Sequence, residues 1–149
     1  MSLFDDVLGE DMSLSPQAFG PQEGFAGTLL AAGACDGHIA EEEFGSLVTT
    51  LGRMKMYSNL AGNRFGSMMD RLMGILRRSG PEKLIELSVP AVPPELRETV
   101  FANACDIVLA DGVVEDDEKQ FIDNLMIKLE IDRARAKTII QVMVFKNQG

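Results

Sequence analysis

The sequence predicts an all-α protein: a single compact domain of about seven helices. Three observations predict it. Apolar residues recur at three- and four-residue spacings over most of the chain, the mark of helices with one buried face. No segment holds β alternation between turn residues. A short acidic phrase also occurs twice, 75 residues apart, as one supersecondary unit used twice would give.

Taken in order, residues 1–14 read as an N-terminal arm or short helix. Residues 15–149 read as one helical domain with similar halves at about 15–79 and 93–149. Ser15-Pro16 has the form of an N-cap followed by proline at the first helical position, opening a helix towards Ala34. A second helix is expected from Glu41 to about Tyr57, and a third from Asn59 to about Arg78. Gly62, Gly66 and Gly74 fall in that third helix. They weaken it by about 1 kcal/mol each relative to alanine, or let another helix come close. Ser79-Gly80-Pro81 and Val92-Pro93-Pro94 break the chain, with a short helix from Glu82 to Ser88 between them.

After the second break, Leu96, Val100, Ala104, Ile107 and Val108 form one stripe. Phe121, Ile122, Leu125, Met126 and Leu129 form another, separated by Asp123, Asn124 and Lys128. A last helix carries Ile139, Val142 and Met143, with Asp132 as its N-cap.

The repeated phrase reads Asp36-Gly37-His38-Ile39-Ala40-Glu41-Glu42-Glu43 and then Asp111-Gly112-Val113-Val114-Glu115-Asp116-Asp117-Glu118. Each copy lies between two helices. Its glycine suits the left-handed residue after a helix C-terminus. Ile39 or Val114 turns back to the core. The acids open the next helix, where the macrodipole favours them by about 0.3–1 kcal/mol each. Helix capping alone explains such a pattern; so does a cation site. Asp-Gly-x-Ile-x-x-x-Glu matches the later positions of a calcium-binding EF-hand loop. The earlier ligand positions would be Ala32 and Ala34, or Ile107 and Leu109, and none offers a side-chain oxygen. A full EF-hand is therefore not expected.

In the form Ala110-Asp111-Gly112-Val113-Val114-Glu115-Asp116-Asp117-Glu118, with an apolar helix on each side, the phrase resembles the bacterial tellurite-resistance TerB family. The first copy departs from it by having Cys35 before the aspartate. The resemblance covers about residues 20–146. It implies an all-α fold of two similar halves, metal held by acidic residues, and a stress-response or co-chaperone setting. On that basis a metal role falls to Asp36, Glu43, Asp111 and Glu118, with Glu42 and Asp117 as neighbours. All-oxygen ligands favour calcium, magnesium or manganese over zinc. The second reading is an acidic helical interaction module of co-chaperone or adaptor type, without a metal site, that docks a basic protein partner.

The bulk properties narrow the classes further. The net charge of −9 opposes binding to nucleic acid, whose phosphates require a basic surface. There is no candidate transmembrane segment and no secretory leader, so a cytoplasmic protein is expected, with Cys35 and Cys105 as thiols. His38 is the sole histidine. It could add a nitrogen ligand for zinc, but it has no partner histidine and reads better as an exposed turn residue. The methionines, Met54, Met56, Met68, Met69 and Met73 above all, suit either core filling or an adaptable surface. No nucleophile–base pair and no phosphate-binding loop is present, so the chain is not expected to be an enzyme.

Overall fold

The computed structural model describes residues 19–37, 39–60, 62–110 and 112–149. Within them the protein is all-helical, with six α-helices and no strand. They are α1 (Pro21–Gly33), α2 (Glu41–Gly52), α3 (Arg64–Ser88), α4 (Arg97–Leu109), α5 (Asp116–Lys128) and α6 (Arg133–Lys146). Short 3₁₀ turns occupy Lys55–Tyr57, Val89–Ala91 and Pro94–Leu96. The expected arm and the Ser15-Pro16 cap lie outside the described residues.

Helix α1 is the axis of the fold. Its residues Gly24 to Ala32 are all buried. They are apolar or small on every side, as a helix packed all round must be. Helix α3 lies closest to it, and α2 and α4 also pack against it. Gly24 and Gly27 make the approach to α3 possible. A Cβ on Gly24 would stand 2.8 Å from the Ser88 carbonyl oxygen, and one on Gly27 would overlap Ser88 Oγ. Close approach is thus a property of the α1 glycines. Nothing lies within 4 Å of a Cβ placed on Gly62 or Gly66, and one on Gly74 meets only the side chain of Arg78.

Three helix boundaries differ from expectation. Helix α1 opens at Pro21, after an extended Gly20, instead of running on from Pro16. The residue before proline is driven out of the helical region, so Gly20-Pro21 starts a new helix. Helix α2 stops at Gly52 and does not reach Tyr57. Tyr57 is buried, and its hydroxyl donates to the Gln22 carbonyl at 2.8 Å. Gln22 Nε2 donates in turn to the Met56 carbonyl. These tertiary bonds draw the segment off the α2 axis. Gly62, with φ +60°, precedes α3 instead of lying in it.

The expected break at Gly80 is present. Its φ of 87° interrupts α3, and Pro81 restarts the helix through Ser88. Asp132 caps α6, accepting from the Ala134 and Arg135 amides at 3.1 and 3.3 Å. Arg135 Nε reaches both Glu98 oxygens on α4, and Lys146 and Asn147 both donate to Asp106. Helix α6 is therefore tied to α4 at both ends. Met68, Met69 and Met73 are buried in the core, and Met54 and Met56 pack against it.

The α1–α3 contact gives a coupled prediction. Ser88 Oγ is buried without a hydrogen-bond partner among the described residues. Gly27→Ala should destabilise the protein by about 1–3 kcal/mol through overpacking. Most of that loss should vanish in a Ser88→Ala background, where the overlapped oxygen is gone. Gly45, on α2, has nothing within 4 Å of its Cβ position. Gly45→Ala should instead stabilise by about 0.5–1 kcal/mol. Urea melts of the four variants check the signs and the coupling.

Candidate metal site

The two acidic turns repeat in geometry as well as in sequence. Gly37 and Gly112 both have positive φ, 123° and 80°. The Gly37 amide donates to the Ala34 carbonyl at 2.9 Å, and the Gly112 amide to the Leu109 carbonyl at 3.0 Å. These four positions differ by 75 in each case. So do the starts of α2 and α5, Glu41 and Asp116, which follow extended N-caps Ala40 and Glu115. Ile39 and Val114 both pack against the core, as expected.

Helices α1 and α4 pack side by side and deliver both turns to one end of the molecule. There a cleft of about 310 Å³ is lined by Asp36 and Glu43 from the first copy and Glu118 from the second, with Cys35, Ile107 and Ala110. Three of the four expected ligands thus share one cleft. The fourth, Asp111, lies outside the described residues, as does His38. Glu42 lies one step away, on the wall of a larger groove that shares Glu43 with the cleft. Asp117 contributes negative potential at Cys35.

The carboxylates stand around the cleft without closing on a point. Among the described residues, no three His, Cys, Asp or Glu side chains form a group that could hold a metal ion. Glu118 also has a structural role, because its Oε1 accepts from the Glu115 amide at 2.9 Å and so caps α5.

Cys35, which the sequence marks only as a thiol before the first aspartate, lines this cleft. It is half-buried, and its thiol is pushed up to about 11, first by burial and then by the charges of Glu118 and Asp36. It is therefore a neutral thiol at neutral pH and a poor nucleophile. The proximity of Cys35 to Glu118 follows from folding alone. Cys105, buried on α4, is pushed up to about 12 by burial and by Asp106.

No family model, curated protein or solved structure matches this chain. No helix among the described residues is long and apolar enough to cross a membrane.

Cys35 reports on the charge of the cleft. Glu118→Gln, which keeps a capping oxygen, should lower the Cys35 pKa and speed its alkylation by iodoacetamide at pH 8–9. Cys105 should be unaffected. A pH–rate profile followed by peptide mass mapping separates the two. The same shifts affect stability. A thiol whose pKa is raised on folding contributes stability fully present below its unfolded value of 9.0 and lost as pH rises towards 11 and 12. Thermal melts should thus fall above pH 9, and fall less in a Cys35→Ala, Cys105→Ala protein.

Proposed function

We propose that this chain is a divalent-cation-binding helical protein of the stress-response type that its resemblance to the TerB family implies. It acts by binding and not by catalysis. The observation that carries the reading is convergence: turns 75 residues apart in sequence open onto one cleft lined by Asp36, Glu43 and Glu118.

The donor chemistry fits a hard cation. Three carboxylates supply up to five oxygens, because Glu118 Oε1 is held by its capping bond. Asp111 is the counterpart of Asp36 in the repeat and is assigned as the fourth carboxylate on that correspondence. Such a set suits calcium, magnesium or manganese better than zinc. Asp36, Glu43 and Glu118 sit at exposed or half-exposed turn and first-turn positions. Their side chains can rotate into the cleft, and a cation there would relieve their mutual repulsion. Glu118 would serve with Oε2 while Oε1 keeps its capping bond. Water and backbone carbonyls would complete the shell.

Thermal melts with calcium, magnesium, manganese and zinc test the reading. A cation at 100 times its dissociation constant should stabilise the fold by about 2.7 kcal/mol. Asp36→Asn with Glu43→Gln, and separately Asp111→Asn with Glu118→Gln, should each abolish the effect if the cleft holds one shared ion. Each should halve the stoichiometry if each turn holds its own. Wild-type protein that shows no saturable cation effect would sink the assignment. The acidic interaction module of co-chaperone or adaptor type would then be the better reading.

A further inference from the structure

A second feature stands beside the acidic cleft. A groove of about 520 Å³ runs between α1, α2, α4 and the end of α6. Its floor includes Leu29, Leu47 and Ile107, and its walls carry Glu42 and Glu43, with Asp106 paired to Lys146 of the same chain. The volume lies within the range of about 300–1,000 Å³ typical of binding pockets. An apolar floor under acidic walls selects a basic occupant with protruding apolar side chains.

The chain itself carries such an element. Positions 1–52 hold nine acidic residues and no lysine or arginine, so they account for the whole net charge of −9. The remainder holds fourteen residues of each sign. Within it, α6 contains Arg133, Arg135, Lys137 and Lys146 and no acid, Arg135 and Lys146 being paired with Glu98 and Asp106 of their own chain. Two of its large apolar side chains face outward: Val142 is 51% exposed and Phe145 is 69% exposed. Three residues apart, they share one face of the helix. Phe145 is too exposed to fill the groove of its own chain, and it does not line it.

We propose that the chain self-associates, with the Val142–Phe145 face of α6 from one copy seated in the acidic groove of a second. Lys146 and Asn147, at the end of α6, form part of the groove's own edge. Face and groove are therefore neighbours on each copy, as a two-fold pair requires, where each subunit gives and receives the same contact. The segment 1–18 is a poor competitor, because its four acids and lack of basic residues oppose the groove walls. The groove shares Glu43 with the cation cleft, but association through it requires no ion.

Sedimentation equilibrium of the full chain at about 0.15 M salt tests it, paired with ¹⁵N NMR over a dilution series. The mass should rise from 16.3 kDa towards twice that value with concentration. Amides of Ser46 and Thr50 in the groove should shift together with those of Val142 and Phe145. Phe145→Asp and Ser46→Arg change exposed residues on the two opposed surfaces, and circular dichroism should show both folded. Each should weaken association at least about tenfold, as loss of an interface anchor does. EDTA should leave wild-type association unchanged. A protein that stays monomeric throughout the series overturns the proposal. So does association that survives either substitution, shifts confined to other faces, or loss of the dimer in EDTA, which would indicate bridging by an ion.

Discussion

The seating of α1 against α3 is the contact on which the rest of the structure depends. Nine consecutive residues of α1 are buried, so this helix has no solvent face to absorb error. Its depth is set by two missing side chains, those of Gly24 and Gly27, where the backbone of α1 meets Ser88 and Ala91. Glycine in a helix costs about 1 kcal/mol relative to alanine. That cost is offset because Leu29, Leu30 and Phe25 become wholly buried. The C-terminal end of α1 carries the first acidic turn. Its depth in the bundle therefore decides where Asp36 and Cys35 stand relative to Glu118.

Much of this is legible from residue spacing, and the exceptions have physical causes. Helices α4 and α5 follow their apolar stripes closely, because each has a buried face and a solvated one; in α6, Ile139 and Met143 pack against the core as expected, but Val142 is exposed. Gly80-Pro81 and Asp132 act locally, through a backbone conformation and a capping bond, and local signals survive without tertiary knowledge. Helix α1 is harder to bound because it is apolar all round and has no contrasting face; Gly20-Pro21 starts it. Helix α2 is shorter than its residue pattern suggests because the bond that ends the segment joins Tyr57 to Gln22, 35 residues away. The α1 glycines look like helix weaknesses until the neighbour that needs the space is known.

The candidate site divides along the same line. The repeat marks its acids, its turn glycines and its inward Ile39 and Val114, because all of these are short-range features. That both turns open onto one cleft is a property of how α1 and α4 pack, and no spacing encodes it. The part played by Cys35 is hidden for the same reason. Its thiol feels Glu118 and Asp117, residues more than 80 positions away, as well as its neighbour Asp36. Position in the repeat suggests a bystander; position in space makes it a gauge of the cleft's charge.

Glu118 shows how one residue can both cap a helix and charge a cleft. As the third residue of α5 it caps the Glu115 amide, and as a wall of the cleft it adds negative charge beside Asp36 and Glu43. The first role needs only one oxygen and no charge, so a glutamine would serve. The second needs the charge. A carboxylate here raises repulsion within the cleft and disfavours ionisation of the half-buried Cys35. Capping therefore explains why position 118 needs a side-chain oxygen. The macrodipole also favours a carboxylate over an amide at this first-turn position, and the proposed cation would offset the charge that it sets beside Asp36 and Glu43.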